Sequence, residues 1–354
     1  ECRACKEVCP AGAIDYSQQD RIVEEEVGAV IVATGHDLIS KDTLGEYLSD
    51  PDIIDGLQFE RLLSPDGPTR GAVKRPSDGK IAKEVVWISC AGSRDTERGV
   101  PYCSRVCCLY VAKQTLLYKR AVPDGQAYVT YMDIRSDVMG TEEFVQGVVE
   151  KSRTMYLRGQ ASKIFRDGGK IKVWATDTLT GKDIEIAADM VVLALAMVPS
   201  PTARALARKL NIICDQHGFM TEAHLKLRPV DTLTSGIYLA GTAQWPKDIP
   251  DTLASASGAA SRILSLFSRK ELLHEPAIAF VNERICVGCE QCISVCAYKA
   301  TTLDAEKKVA RVNEAVCEGC GACVVACPSK AMKHKNWTPR QFFDMVDVFT
   351  QEYE

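Results

Sequence analysis

The chain lacks an excess of positive charge. Its 43 Lys and Arg are outnumbered by 47 Asp and Glu, for a formal net charge of −4, so no basic field is present to hold nucleic acid. It lacks a long apolar run. The longest, Met190–Val198, falls well short of the ~20 residues that a membrane helix needs, so any membrane contact goes through a partner. Nothing in it reads as a signal peptide, and at 354 residues it is not the short secreted domain that a disulfide framework suits. It also lacks the sequence GxGxxG, the glycine turn that brings backbone against a dinucleotide's pyrophosphate. What remains is ordinary for a globular protein, with 46% hydrophobic and 25% charged residues and length for two or three domains.

What the chain has is cysteine. There are 16, grouped as three, one, three, one, four and four, and such grouping indicates metal ligation rather than scattered thiols. The run Cys286-x2-Cys289-x2-Cys292-x3-Cys296 is repeated as Cys317-x2-Cys320-x2-Cys323-x3-Cys327-Pro328. This is the bacterial ferredoxin spacing, in which three close cysteines wrap one [4Fe–4S] cluster and the fourth ligates the other. Cys286, Cys289, Cys292 and Cys327 are therefore assigned to one cluster, and Cys317, Cys320, Cys323 and Cys296 to the second. Gly288, Gly319 and Gly321 let the loops curl close, and each fourth cysteine is expected to open a helix. Ala297 stands where the second half has Pro328, which weakens the turn signal and not the ligation. Zinc would need four ligands per ion, usually as two CxxC pairs. Such clusters oxidise readily, which points to a reducing cytoplasm in an anaerobe.

At the start, Cys2-x2-Cys5-x3-Cys9-Pro10 is three quarters of the same run. It expects a first cysteine three residues before Cys2, ahead of Glu1, and a strand over Ala11–Asp15. An unrelated CxxC zinc or redox pair is the alternative. Val27–Ala33 reads as a strand buried on both faces, leaving through Thr34-Gly35, with His36 a surface or hydrogen-bonded histidine. Residues 41–80 read as a long loop with a short helix at Phe59–Leu63, a candidate hinge.

Lys83–Cys90 is a strand, and after it comes Cys90-x12-Cys103-x3-Cys107-Cys108. Ser104 can cap a helix running to about Lys119, which would put these cysteines at a helix N-terminus, where free N–H groups and the helix dipole favour thiolates. The spacing favours a third complete cluster site over core cysteines. Further strands are expected at Ala127–Met132 and Met190–Met197, a small meander over 161–166, 169–175 and 183–187, and helices at 142–157 and 202–210. Isolated Cys214 reads as packing. Ser235–Gly241 is a strand ending in glycine, and Thr242-x-Gln244-x2-Lys247-Asp248-Ile249 leads into a small-residue helix from Asp251 to about Phe267. Leu272–Pro276 is a linker, and the tail after Thr338 is a helix that packs on its own domain or docks a partner.

The Thr34-Gly35 exit resembles the turn by which two-dinucleotide-domain flavoproteins approach FAD, and the strand–glycine–helix unit at Gly241 follows the logic of their C-terminal FAD motif. Thr242 stands where such flavoproteins usually carry Asp. Together Cys2–Asp15, Val27–Gly35, Arg75–Lys80, Pro101–Cys108, Ala240–Pro250 and the tandem run resemble the A-type subunit of heterodisulfide reductase. The resemblance implies an α/β, thioredoxin-reductase-like two-dinucleotide-domain flavoprotein fold with an α+β ferredoxin-like 2[4Fe–4S] domain at the C-terminus. Its domains are a ferredoxin-motif remnant at 1–20, a flavoprotein domain at 21–270, the ferredoxin domain at 275–335 and a helical tail at 336–354. Within the flavoprotein domain, 21–40 and 230–270 lie on the FAD side and 80–229 carries the cluster. The family's first FAD strand, with its GxGxxG, is expected upstream.

By resemblance, Cys90, Cys103, Cys107 and Cys108 hold a cluster where relatives of the fold bind NAD(P). Thr34, Gly35, Gly241, Thr242, Gln244, Lys247, Asp248 and Ile249 border FAD, with Lys247 a charge near the ring. The implied activity is electron transfer between flavin and clusters, with bifurcation between ferredoxin and a CoM-S-S-CoB-like disulfide. The implied partners are the B-type and C-type subunits, a hydrogenase or formate dehydrogenase input, ferredoxin, and a second copy of the chain. A quinone-linked complex of sulfur metabolism and a flavin-free electron-transfer module are the alternatives. An NAD-dependent disulfide reductase is disfavoured, since GxGxxG and a redox CxxC beside a flavin are both missing.

Overall fold

A computed structural model describes residues 3–45, 50–136, 138–271 and 277–351. Cys2 and the expected linker 272–276 lie outside them. The largest element is a parallel sheet whose strands run, in spatial order, Ile53–Asp55, Met190–Leu195, Glu84–Ala91, Gln126–Tyr131 and Met155–Arg158. All four pairings are parallel, and the two central strands are almost wholly buried, as unbroken Val/Ile/Leu runs require. One face carries the helices Gly56–Leu63 and Cys107–Ala121. Trp87 lies under both, edge-on to Phe59 at 5.1 Å and to Tyr118 at 5.6 Å. Its indole N–H donates to Gln114 Oε1 (3.1 Å), and Gln114 Nε2 donates to Gly56 O (2.8 Å), so this core leaves no polar atom of the pair unmatched. The opposite face is covered by the antiparallel meander Ala161–Asp167, Lys170–Asp177 and Lys182–Ala188, through Ile164, Ile171, Val173 and Ile186.

A second unit is built on Val30–Val32 paired in parallel with Ile237–Leu239. Helix Ala203–Leu210 and the loop through Ile212 and Met220 pack on Val32 and Leu239. The 19-residue helix Ile249–Phe267 follows. Residues 278–332 have their own core and two antiparallel pairs, Ala279–Val281 with Met332–His334 and Thr301–Leu303 with Ala310–Val312. Among the described residues, no helix is long and apolar enough to cross a membrane.

Several expectations are corrected. Residues 41–80 are not only loop: Ile53–Asp55 is an edge strand, too short to show periodicity and defined by its register with Val191–Leu193. The helix expected at 142–157 is Thr141–Ser152. Arg153 then turns left-handed (φ 55°) and Met155–Arg158 joins the sheet. The strand expected over 27–33 is only Val30–Val32, and it is not buried on both faces, because Ile31 is 43% exposed. Ala11–Asp15 forms no strand. The run ending at Met197 breaks at Ala196, and Met197–Pro199 pairs antiparallel with His36–Leu38. The helix expected from Asp251 starts at Ile249, because Asp248 accepts from Asp251 N at 2.8 Å and Pro250 fits the first turn. The tail helix Pro339–Gln351 has no buried residue.

An ionic knot ties the sheet's edge to the meander. Asp52 is fully buried and accepts from Ser77 N (3.0 Å) and Oγ (2.7 Å), Arg75 (3.2 Å) and Arg166 (2.7 Å). Burial by itself would raise this carboxyl, but the bonds from Ser77, Arg166 and Arg75 outweigh it and hold Asp52 below the ordinary carboxylate range. A depressed folded pKa gives stability that is present above the unfolded value of about 3.9 and is lost as pH falls through the folded value. Asp52→Asn is therefore expected to cost roughly 3 kcal/mol at neutral pH in urea unfolding, and to flatten the loss of stability below about pH 4.

Candidate metal centres and an adjoining groove

The tandem run folds into two matching halves. Gly288 and Gly319 are left-handed (φ 64° and 65°), and a Cβ on either would fall 2.4 Å from Lys308 O or 2.3 Å from Ala277 O, so only glycine closes these loops. Helices Gln291–Ser294 and Ala322–Ala326 follow. Cys292 and Cys323 lie inside them, while Cys296 and Cys327 come just after their ends. The expectation that each fourth cysteine opens a helix is therefore corrected: these cysteines leave a helix on extended or turning backbone, where the chain is free to cross to the other half.

Cys323 is crowded by Cys317, Cys320 and Cys296. Burial first, then the charges of those three, push its thiol up to about 11. Cys296, Cys317, Cys320 and Cys323 also line one small cavity. Cys292 is raised by burial and then by Cys286, Cys289 and Cys327. The neighbours are thus crossed between the halves. Backbone N–H groups are aimed at the sulfurs in equivalent pairs: Ala310 to Cys286 and Ala279 to Cys317, both at 3.4 Å, and Ala300 to Cys296 (3.3 Å) and Ala331 to Cys327 (3.2 Å). The set holding Cys296 and Cys317 faces the α/β part, since Asn211 donates to Ala297 O (2.7 Å) and Ser235 N–H to Glu318 (3.4 Å).

Cys90, Cys103, Cys107 and Cys108 come together at the C-terminal end of the central strand. Cys90 ends that run in the left-handed region (φ 59°). Cys107 and Cys108 are the first two residues of helix Cys107–Ala121, whose free N–H groups favour anions. Ser104 does not cap this helix. It is buried, takes Met197 N–H at 2.9 Å and bonds Ser93 Oγ at 2.8 Å, so it ties the cysteine loop to the sheet. Burial and then Cys108 and Cys103 raise Cys90 to about 11; Cys107 is pushed up by burial and then by Cys90, Cys108 and Cys103. Arg105 N–H (3.3 Å) and Arg135 N–H (3.4 Å) donate to Cys103 and Cys108. Arg94, ion-paired with Asp133, lies against Cys90.

This donor set fits iron–sulfur clusters. Four thiols that repel one another on ionising need compensating positive charge, and N–H donors stabilise thiolate and sulfide sulfur. Among the described residues, no three His, Cys, Asp or Glu converge as ligands of one metal ion. Cys5 is exposed and Cys9 half-buried, and Cys9 is lowered by N–H groups of Ala13 and Ala11. Cys214 packs against the cluster of Val32 and Leu239.

Of the eight residues expected around FAD, Gln244 and Lys247 line an open groove of about 1020 Å³, with Glu222, Trp245, Asp251, Ser255 and Gly258. Lys247 donates to Gln244 Oε1 (2.7 Å) and is lowered by burial. Thr34, Gly35, Gly241 and Thr242 sit instead at the C-terminal edge of the small parallel sheet, where His36 Nδ1 and Thr242 Oγ1 are 3.0 Å apart. Burial lowers the His36 pKa. Asp248 is occupied as the helix cap, and Ile249 is 76% exposed. Missed in the sequence were Arg94, Arg135 and Asp133 around the four-cysteine site; the only signal was the density of arginine beside these cysteines.

Residues 285–331 match the family model of the 4Fe–4S dicluster domain. The chain is 44% identical over 307 residues to the A-type subunit of the H(2):CoB-CoM heterodisulfide,ferredoxin reductase of Methanothermobacter marburgensis, covering 86% of this chain and 47% of that protein. It is 41% identical over 299 residues to the A-type subunit of the H(2)/formate:CoB-CoM heterodisulfide,ferredoxin reductase of Methanococcus maripaludis, covering 83% and 45%. The chain spans about half the length of the curated relatives it matches. Among solved structures it is similar to T. acidophilum thioredoxin reductase, with TM-score 0.44 and 18% identity over 68% of this chain and 65% of that one.

The crossed arrangement makes a count. Replacing Cys296 and Cys317 together by Ala touches one set and is expected to remove about four irons per chain, whereas Cys296 and Cys292 together touch both sets and remove about eight. Uncrossed ligation gives the reverse, and iron analysis of oxygen-free preparations distinguishes them.

Proposed function

We propose, for a chain related in sequence to the A-type subunit of heterodisulfide reductase over about half of that protein's length, that it is the iron–sulfur flavoprotein subunit of a heterodisulfide-reductase-type oxidoreductase complex. The observation that carries this is the four-cysteine site placed against the groove: Arg105 donates to Cys103 Sγ at one end and to Asp251 of the groove at the other. Cys90, Cys103, Cys107 and Cys108 hold one [4Fe–4S] cluster, the tandem run holds two in the crossed sets, and Cys2, Cys5 and Cys9 belong to a fourth. FAD occupies the groove and the glycine turns at Gly35 and Gly241. A flavin exchanges one or two electrons and a cubane one at a time, so the two together convert between pairs and single electrons.

The chain's own residues hold and tune these groups. N–H donors to sulfur and the arginines near Cys90 and Cys108 favour added negative charge. Gln244 fixes the Lys247 ammonium in the groove wall, where it faces an anionic group. The groove's volume is at the upper end of the ~300–1,000 Å³ of small-molecule sites. We assign the flavoprotein part to 21–270 and the ferredoxin part to 275–335, acting in a reducing cytoplasm. Electrons enter through a hydrogenase or formate dehydrogenase partner and bifurcate to ferredoxin and, through B-type and C-type subunits, to a disulfide such as CoM-S-S-CoB.

Intact-length protein prepared without oxygen and supplied with FAD should bind about one flavin per chain, and Lys247→Ala in it should weaken binding about tenfold, the loss of roughly 1.4 kcal/mol expected of a charge-assisted contact. Flavin fluorescence measures both. No binding by the parent protein would leave the flavin-free electron-transfer module as the reading.

A further inference from the structure

The segment Tyr102–Arg105 belongs to two sites at once. Tyr102 packs against Trp245 of the groove wall with ring centres 5.4 Å apart, and its hydroxyl donates to Met197 O at 3.0 Å. Cys103 is one of the four clustered thiols. Arg105 is left-handed (φ 62°) without being glycine, a conformation that persists only where its surroundings over-determine it. Two contacts do so. Its backbone N–H donates to Cys103 Sγ (3.3 Å), and its guanidinium Nη1 donates to Asp251 Oδ2 (2.7 Å). Asp251 lies in the first turn of helix Ile249–Phe267 and lines the groove. There the charges of Asp251 and Arg105 act in opposite directions on Lys247.

We infer that Arg105 is a positioning residue whose ion pair with Asp251 couples the groove to the four-cysteine site. The inference rests on the reading of Cys90, Cys103, Cys107 and Cys108 as a cluster site. The ion pair anchors the side chain, and the anchored side chain keeps the backbone N–H directed at Cys103 sulfur. That hydrogen bond favours the reduced, more negative cluster and so raises its potential. An anionic ligand that draws Arg105 away from Asp251 loosens the bond and lowers the potential. By linkage, the redox state of the cluster then changes the ligand's affinity by the same factor.

The sign of two substitutions tests this. In oxygen-free holoprotein, the signal that disappears in Cys90→Ala identifies the cluster, and its potential is followed by electron paramagnetic resonance. Arg105→Gln and Asp251→Asn should both lower its reduced-to-oxidised ratio at a fixed potential by about fivefold, or ~40 mV for one electron at 59 mV per tenfold, the scale of a partly exposed ion pair. The double variant should go no lower than either single, Arg105→Lys should restore most of the shift, and the ferredoxin-type clusters should not move. A simple charge effect would lower the potential in Arg105→Gln and raise it in Asp251→Asn; that result, additive shifts, or no shift would overturn the inference. Iron content keeps the two readings apart. If Cys90→Ala retains all its iron, the cluster reading fails and the inference with it. If about four irons are lost and the potentials still do not respond, only the inference fails.

Discussion

Mutual repulsion among crowded thiolates is the constraint on which the rest of this structure depends. In each of three sets of four cysteines a buried member, Cys107, Cys292 or Cys323, is raised by the charges of the other three, on top of burial that already disfavours its ionisation. Such an arrangement is unfavourable as bare thiolates and becomes favourable when iron supplies positive charge and N–H groups stabilise the sulfur. The surrounding fold is directed to that end. Amides of Ala279, Ala300, Ala310 and Ala331 are turned toward sulfur in the ferredoxin-like part, and those of Arg105 and Arg135 in the α/β part.

The two parts reach similar sites by different means. In the tandem run, sites repeat with the sequence, and left-handed Gly288 and Gly319 occupy equivalent positions. The four-cysteine site has no such repeat. It is assembled at the C-terminal edge of a parallel sheet, the edge at which open α/β folds place their ligands. Ser93 and Ser104 stitch the loop to Met197, and the Arg105–Asp251 pair joins it to the groove. With Asn211 and Ser235 contacting the loops beside Cys296 and Cys317, the groove's unit lies between two cysteine sites, a suitable position for an exchange of electrons between them.

The sequence was most readable where chemistry and spacing coincide. The ferredoxin spacing by itself implied its crossed neighbours, and the Val/Ile runs at Glu84–Ala91 and Met190–Leu195 marked the buried strands. Cys90-x12-Cys103-x3-Cys107-Cys108 could only favour a site, because its members meet through a sheet and a helix that no spacing rule describes. Ser104 looked like a cap by residue type, but tertiary packing engaged its hydroxyl first. Ile53–Asp55 and Met155–Arg158 were hidden because strands of three and four residues carry no period of their own. The groove was least legible: Gln244 and Lys247 line it, whereas Thr34, Gly35, Gly241 and Thr242 lie at a neighbouring sheet edge, and their shared motif did not reveal that separation.

The measurement that bears most directly on this account is the iron and acid-labile sulfide content of the chain prepared without oxygen, with zinc measured in the same sample. Three complete four-cysteine sets predict at least about twelve irons and as many sulfides per chain. Zinc in their place, or iron without matching sulfide, would contradict it.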